Sequence, residues 1–347
     1  MKITYLFRAR TSNFHSIEQA FSAIFPAIDR SFERELIRLP EPGAGPGAVR
    51  RNLRFLRKQQ LKGASAGKAK KTTSRKTVCH ITGHVNYVAL ATGRQSVLTV
   101  HDIRSALVGP LPVRLIRLIF WFWIPCWIVR RISVISEFTK GELKRLVPFA
   151  ARKAMVIPNP VLPLFKAHPL PAGKPVQRVL VVGTKANKNL ERIVPALEGL
   201  GLELCIIGKL ADAHIRALEA AKINYSNKHT LPNEELLQCY RDADLLCFPS
   251  LYEGFGMPII EAQAVGRPVL SSDRGAMKEV ARDSACLVDP ESIASIREGI
   301  RRIMEDADYR AQLVAKGFEN IKRFGAEKIG EAYIGLYREV LGAGGEK

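Results

Sequence analysis

Short apolar runs alternate with segments of helix length along the chain, and this alternation limits the folds that the sequence can adopt. Runs such as Val179–Val182 and Leu204–Ile207 are apolar without interruption, which is typical of parallel strands covered by helices on both faces. Strands and helices in regular succession indicate a doubly wound α/β fold. The runs that we predict to form strands are Ile3–Phe7, Thr77–Ile81, Val97–Val100, Arg131–Ile135, Lys153–Ile157, Val179–Val182, Glu203–Ile207, Asp244–Phe248, Pro268–Ser271 and Ala285–Val288.

The length of the chain and one proline-rich segment indicate two domains. A chain of 347 residues exceeds what one core usually serves, because domains of about 150 residues are typical. The segment Pro158–Pro175 contains six prolines and no helical period, which predicts a semi-rigid connector. We therefore place an N-terminal domain at residues 1–160 and a C-terminal domain at residues 161–325, each with its own sheet.

The excess positive charge lies in the N-terminal half. Residues 1–165 hold 28 Lys or Arg and 8 Asp or Glu, whereas residues 166–347 hold 25 of each, so the net charge of +20 belongs to the first half. This predicts an anionic partner, and a membrane surface and nucleic acid are the two candidates. The segment Pro42–Lys76 contains eleven of the basic residues but no aromatic residue other than Phe55, which argues against nucleic acid. Its part Gly63–Lys76 is predicted to be a basic loop that faces anionic headgroups or acceptor phosphates, and a solvated loop without function is the alternative.

The segment Leu118–Val129 contains twelve uncharged residues and all three tryptophans. It is shorter than a bilayer span, which needs about 20 residues. Two arginines on either side would suit a segment at a membrane interface, but a buried helix of the N-terminal domain is an equally open interpretation. Pro125 in the middle of the segment predicts a kink.

The six cysteines stand singly in the sequence, without a C-x-x-C pair that would suggest a zinc or redox site. We interpret them as free thiols in a reducing compartment. The apolar run at the N-terminus is too short for the core of a signal peptide. We therefore expect a cytoplasmic protein.

The most informative passage is Asp242–Ser272. A predicted buried strand leads into a loop that contains Glu253 and two glycines, and Pro258 then begins a helix at a position where a missing N–H does no harm. This order places backbone amides of a helix N-terminus beside a glycine turn, at the carboxyl edge of a parallel sheet. Phosphate groups bind at such places.

This passage resembles glycosyltransferase family 4, retaining enzymes with two Rossmann-like domains facing across a cleft, the GT-B architecture. Glu253 and Glu261 match the Glu-x7-Glu motif of the family, and the surrounding Phe-Pro-Ser, Glu-Gly-Phe-Gly-Met-Pro and Glu-Ala-x-Ala-x-Gly-x-Pro-Val match its context. The resemblance implies that Glu261 accepts hydrogen bonds from the ribose of a donor nucleotide and that Glu253 lies near the transferred sugar. It also implies that residues 326–347 contain a helix that crosses back onto the N-terminal domain. The further donor contacts that it implies are those of Gly254, Phe255, Gly256 and Met257.

A second match is Val179–Leu190, a predicted strand that ends in Gly183 and continues into a loop with two lysines. Lys188 fits the lysine with which the family binds the donor diphosphate. Thr184 stands where many relatives have arginine, so Lys185 is the alternative source of that charge. These cations would neutralise the charge on the departing nucleoside diphosphate.

Several histidines follow predicted strands of the N-terminal half. His101 lies in a Thr-Val-His context in which the family has a histidine that contacts the donor sugar, and the resemblance implies a catalytic role for it, as for Glu253. Asp102 is interpreted either as an acceptor-side residue or as the cap of a turn. His80 and His84 are further acceptor-side candidates, although a lone histidine is usually structural.

These observations predict a retaining glycosyltransferase that moves a hexose, preferably mannose from GDP-mannose, to a hydroxyl of a lipid-linked bacterial glycan. The partners expected are a nucleotide sugar, the glycan acceptor and an anionic membrane surface, but no nucleic acid. We expect no cofactor and no metal, because the Asp-x-Asp pair Asp242-Ala-Asp244 opens a predicted buried strand. The alternatives are a nucleotide-sugar epimerase on the same scaffold and a nucleic-acid-binding protein that uses the basic half.

Overall fold

The computed structural model describes residues 1–9, 16–43, 45–66, 77–171 and 173–342. The chain divides into two compact units: unit 1 comprises Met1–Pro158 and Ala326–Lys347, and unit 2 comprises Asn159–Gly325. The division lies two residues before the boundary placed at residue 160. The C-terminal segment belongs to the first unit, although it follows the second in the sequence.

Unit 1 is built on a parallel sheet of six strands. In chain order the strands are β1 (Lys2–Phe7), β2 (Glu33–Arg38), β3 (Thr77–Ile81), β4 (Ser96–Val100), β5 (Arg131–Val134) and β6 (Ala154–Val156). Their order in the sheet is β2-β1-β3-β4-β5-β6. The helices of this unit are α1 (Ser16–Asp29), α2 (Pro46–Ala66), α3 (Ala89–Thr92), α4 (Leu111–Arg117), α5 (Ile124–Ile128), α6 (Glu137–Leu146) and, from the C-terminal segment, α14 (Ala326–Leu341).

Helix α14 completes the core on one side of this sheet. Its buried residues include Tyr333 and Tyr337, which pack in one cluster with Tyr5 of β1 and Phe21 of α1. Gly330 allows α14 to approach α1 closely, because a Cβ atom at this position would lie 2.5 Å from the Cβ of Ala27. The amphipathic pattern at the C-terminus therefore serves the core of unit 1.

Unit 2 contains a second parallel sheet of six strands. Its strands are β7 (Arg178–Val182), β8 (Glu203–Ile207), β9 (Tyr225–Lys228), β10 (Leu245–Phe248), β11 (Val269–Ser272) and β12 (Cys286–Val288). They are arranged in the order β12-β11-β10-β7-β8-β9. The helices are α7 (Leu190–Leu197), α8 (Asp212–Ala220), α9 (Asn233–Asp242), α10 (Met257–Val265), α11 (Gly275–Ala281), α12 (Ile293–Glu305) and α13 (Ala307–Ile321).

All ten predicted strands are present, and the described residues contain two further strands that were not predicted. The missed strands, β2 and β9, lie at the edges of their sheets. β2 has the sequence Glu-Arg-Glu-Leu-Ile-Arg, and no residue of either strand is fully buried. Edge strands need no continuous apolar run, because one side and part of each face remain in solvent.

The proline-rich connector is packed against unit 2. The backbone N–H of Val161 donates to the carbonyl of Phe324, and that of His168 donates to the carbonyl of Val265. Leu162 and Phe165 are buried. Much of the segment that the sequence predicts as a linker is therefore an ordered part of the second unit.

The segment 111–128, named here the exposed apolar helix, forms one surface helix from α4, a π-helical turn at Leu118–Trp123, and α5. Only 17% of its residues are buried, and among the described residues it alone is long and apolar enough to pass as a membrane-crossing helix. Within the predicted segment Leu118–Val129, Phe122, Cys126 and Val129 lie in the core of unit 1, whereas Phe120 and Trp127 are exposed. The interpretation as a buried helix therefore holds for one face of this segment only. Pro125 cannot donate to the carbonyl of Trp121, and the side chain of Asn86 donates to this carbonyl instead, at 2.8 Å.

Part of the predicted basic loop is helical, because α2 extends through Ala66. Residues 67–76 of that loop lie outside the described residues. The six cysteines are unpaired, and five of them are buried, which confirms their interpretation as free thiols.

Candidate functional site

Two loops of unit 2 that carry predicted donor-binding residues follow neighbouring strands. β7 and β10 pair in parallel, with Val179 opposite Leu245, and the sheet continues to β8 on one side and to β11 on the other. In doubly wound sheets, ligands bind beyond the carboxyl ends of the strands at the point where the strand order reverses. The loops after β7 and β10 leave the sheet at this point.

An ion pair and an amide connect these two loops. Nζ of Lys188, in the loop after β7, lies 2.7 Å from Oε1 of Glu253, in the loop after β10, and both side chains are less than one-fifth exposed. The side-chain amide of Asn187 donates to the same carboxylate oxygen at 2.9 Å and to the carbonyl of Tyr252 at 3.0 Å. Nζ of Lys188 also lies 4.5 Å from the centre of the Phe248 ring. The predicted phosphate-binding cation and the predicted sugar-facing carboxylate are therefore held together.

Gly183 provides the space in which Lys188 lies. Its φ is +97°, and a Cβ atom at this position would lie 2.7 Å from Cε of Lys188. The hydroxyl of Thr184 donates to the carbonyl of Lys209 at 2.6 Å, while Lys185 is exposed. Lys188 is thus the lysine of this loop that contacts Glu253.

The loop Glu253–Gly256 ends at the N-terminus of α10. Gly256 adopts a φ of +101° immediately before the first helical residue, Met257, a conformation that glycine adopts without the penalty of a side chain. Phe255 is buried and packs edge-to-face on Phe324, with ring centres 5.5 Å apart. The phenylalanine side chain therefore anchors the loop, and only its backbone remains as a contact for a donor.

Glu261 lies one turn into α10 and is 8% exposed. The phenol of Tyr240, on α9, donates to its Oε2 at 2.5 Å. Burial raises the pKa of Glu261 to about 7, against the lowering effects of the Tyr240 hydrogen bond and the positive charge of Lys188. The carboxylate is therefore poised to change protonation state near neutral pH.

In unit 1, His101 follows β4 at the carboxyl edge of the sheet. Its Nε2 lies 2.7 Å from the carbonyl of Thr82, and because a carbonyl only accepts, Nε2 carries the proton and Nδ1 is left as an acceptor. A Cβ atom at Gly83 would collide with the ring of His101. The His84 ring stacks on it at 5.7 Å. Burial, followed by the effect of His84, lowers the pKa of His101 to about 3, so the imidazole is neutral.

The structure corrects the prediction for His80 and shows one contact of Asp102. His80 is 0% exposed, and its two ring nitrogens lie 2.6 Å from the Tyr337 hydroxyl and 2.7 Å from the Thr99 hydroxyl. It cannot contact an acceptor, because neither nitrogen faces solvent; it is part of the core of unit 1. Asp102 accepts from the backbone N–H of Arg104 at 3.0 Å and so caps a turn; its role on the acceptor side stays a prediction.

Asn187 and Tyr240 contact the two motif glutamates, and neither residue was predicted from the sequence. Asn187 stands between Lys185 and Lys188 of the matched loop, and this position is the sequence feature that could have suggested a role for it in the site. Tyr240 lies 21 positions before Glu261, and only the packing of α9 against α10 brings the two together. Among the described residues, no group of three His, Cys, Asp or Glu side chains is placed to hold a metal ion.

Residues 165–320 match the sequence model of the family described as Glycosyl transferases group 1. The chain is 26% identical over 233 residues to O-antigen chain mannosyltransferase B of Escherichia coli, covering 60% of each protein. It is 25% identical over 231 residues to phosphatidyl-myo-inositol mannosyltransferase of Mycobacterium leprae, covering 62% of this chain and 61% of that one. The chain thus spans about three-fifths of the length of these two relatives.

The whole chain is similar to a solved structure. Anabaena HepE, determined in complex with UDP and glucose, superimposes with a TM-score of 0.75 at 14% identity, covering 98% of this chain and 100% of that one. The two parallel sheets and this similarity confirm the predicted fold class. Residues 165–320 are therefore similar to the glycosyl transferases group 1 domain, in a chain with the GT-B fold.

Proposed function

We propose that this protein is a glycosyltransferase that moves a hexose from a nucleoside diphosphate sugar to a hydroxyl of a glycan acceptor. The observation that carries the proposal is the ion pair between Lys188 and Glu253, at the point where the strand order of the unit 2 sheet reverses. A cation, a carboxylate and glycine-rich backbone at such a point suit a diphosphate and a sugar. Glu261, on the helix that follows, supplies the acceptor for the ribose hydroxyls.

The proposed reaction breaks the bond between C1 of the sugar and the diphosphate oxygen. The acceptor oxygen forms the new bond to C1 on the same face, so the configuration is retained, and its proton passes to the departing phosphate oxygen. Lys188 leaves its pairing with Glu253 to neutralise the charge that develops on the diphosphate. His101, with Nδ1 unprotonated, accepts a hydrogen bond from a hydroxyl of the sugar, and Glu253 orients that sugar.

We further propose mannose, carried by GDP, as the donor sugar. The support is that both relatives described above are named mannosyltransferases. The name of one of them contains an O-antigen chain and that of the other a phosphatidyl-inositol, which supports a lipid-linked glycan as the acceptor. The complex of HepE with UDP makes UDP-sugars the alternative donors to be tested beside GDP-mannose.

The exposed apolar helix supports docking on the cytoplasmic face of an anionic membrane. Trp127 is 75% exposed, and Ile116 and Phe120, which lie on the same helix face at a spacing of four residues, are at least half exposed. Phe122 and Cys126 are buried in the core of unit 1, so the helix is fixed along the surface of the unit and suits the membrane interface rather than a transmembrane position. The basic residues of this half add attraction to anionic headgroups, about 1 kcal/mol for each one near the surface.

Thermal unfolding with GDP, UDP, ADP and the corresponding sugars tests the proposal. A ligand that binds only the folded protein adds about 2.7 kcal/mol at a concentration of 100 times Kd, and we expect one nucleotide to raise the Tm by several degrees. Glu261→Ala should abolish this shift, and Glu298→Ala, on α12, serves as the control. Equal unfolding temperatures with and without every nucleotide would refute the proposed activity.

A further inference from the structure

The structure assigns a positioning role to Tyr240: we infer that its phenol fixes one oxygen of Glu261 from the interior and thereby directs the other oxygen to the ribose of the donor. The inference rests on the proposed function, in which Glu261 accepts hydrogen bonds from the nucleotide. Tyr240 itself is fully buried and does not contact the ligand. It acts through the carboxylate that it holds.

The geometry of the pair is specific. Oη of Tyr240 lies 2.5 Å from Oε2 of Glu261, which leaves Oε1 for the ligand. A carboxylate that accepts two hydroxyls of a cis-diol must keep its plane in one orientation, because a small rotation misdirects both lone pairs. The rotation of Glu261 is limited by a donor on the neighbouring helix.

Tyr240 is in turn held by its surroundings. The guanidinium of Arg267, which is 1% exposed, donates to the carbonyl of Tyr240 at 3.0 Å and to that of Arg241 at 2.8 Å. The ring of Phe165 packs edge-to-face on the Tyr240 ring, with centres 5.3 Å apart. These contacts fix the last turn of α9, so the phenol is a rigid donor.

The phenol also favours the charged form of Glu261. Two groups outside α10 act on this carboxyl, the phenol of Tyr240 on α9 and the ammonium of Lys188 in the loop after β7. Both lower its pKa, but burial outweighs them and the pKa remains raised, at about 7. A neutral carboxyl accepts weaker hydrogen bonds from the ribose than a charged carboxylate does. Without the phenol, Glu261 would be protonated to a higher pH, and donor binding would be weakened at neutral pH.

Calorimetric titration of Tyr240→Phe with GDP and UDP between pH 6 and 9 tests the inference. For the wild type we expect the affinity to fall as the pH is lowered through about 7. In the variant, the pH at which affinity is half-maximal should rise by about one unit, since a hydrogen bond to a charged group is lost. The affinity at pH 7 should therefore fall about fivefold. Towards pH 9 the two proteins should converge, apart from the residual loss of orientation.

Tyr309→Phe is the matched control, because Tyr309 is a partly buried phenol on α13 of the same unit. If Tyr240→Phe fails to fold, 3-fluorotyrosine at position 240 replaces it: its phenol is a stronger donor, and the pH midpoint should move down. A variant with a lowered Tm but an unchanged pH midpoint would overturn the positioning role alone. Absence of nucleotide binding in the wild type would overturn the proposed function together with this inference.

Discussion

Gly183→Ala should weaken the binding of a nucleoside diphosphate without unfolding the protein. At a φ of +97°, the added Cβ would lie 2.7 Å from Cε and 2.9 Å from Cγ of Lys188. The lysine side chain must therefore move away from Glu253. If Lys188 contacts the diphosphate, the loss of a hydrogen bond from a charged group, worth about 1.5–3 kcal/mol, lowers the affinity about 10- to 100-fold.

The backbone cost of this substitution can be separated from the displacement of Lys188. A residue with a Cβ in the left-handed region costs roughly 1–2 kcal/mol of stability. Gly201→Ala incurs a similar cost, because Gly201 has a φ of +70° but no atom within 4 Å of its added Cβ. Both variants should therefore lose several degrees of Tm, at about 2–4 °C per kcal/mol, and only Gly183→Ala should lose affinity.

The measurement is calorimetric titration with GDP and UDP and with the corresponding nucleosides. The nucleosides lack the diphosphate, so their affinity for Gly183→Ala should equal that for the wild type. The reasoning would be refuted if Gly183→Ala bound the diphosphates as tightly as Gly201→Ala does. It would also be refuted if nucleoside and nucleoside diphosphate lost the same factor.

Three further substitutions test unit 1 and its surface. Gly330→Ala should destabilise the protein by roughly 1–3 kcal/mol in urea unfolding because its Cβ overlaps α1, whereas Gly335→Ala, with no atom within 4 Å, should stabilise it by up to about 1 kcal/mol. Burial lowers the pKa of His80 from 6.5 to about 3, so between these pH values the unfolded chain binds a proton that the folded protein does not. The free energy of unfolding therefore decreases as the pH falls from 6.5. His80→Gln should reduce the slope of this free energy against pH by about 1.4 kcal/mol per pH unit. Trp127→Ser should weaken binding to phosphatidylglycerol vesicles about tenfold in a flotation assay. Ile293→Ser, at an exposed apolar residue of unit 2, should leave this binding unchanged. Equal binding by both variants would contradict docking through the exposed apolar helix.

The fold was predictable where burial leaves a pattern in the sequence. Central strands such as β7 and β8 are covered by helices on both faces, so they read as continuous apolar runs. The edge strand β2 lacks such a pattern because its charged side chains reach solvent. The conformation of segment 111–128 depends on whether the rest of unit 1 covers it, and an apolar sequence is compatible with either outcome.

The candidate site was predictable from local motifs and was missed where partners are distant in sequence. Glu253 and Lys188 belong to separate motifs that the fold joins in one ion pair. Tyr240 carries no motif of its own, and its contact with Glu261 arises from the packing of two helices. His80 shows the opposite case, because a histidine at a strand end that suggested a ligand contact is a core residue with both nitrogens bonded.

Sugar transfer itself is tested most directly by the release of nucleoside diphosphate from GDP-mannose, UDP-glucose and ADP-glucose, with alkyl mannosides and glucosides as acceptors. We expect the wild type to release nucleoside diphosphate from one donor and to form an equal amount of extended glycoside. Glu253→Gln should bind that donor but turn it over at least about tenfold more slowly. Nucleotide binding without release on any acceptor, or equal turnover by Glu253→Gln, would contradict the proposed function of this site.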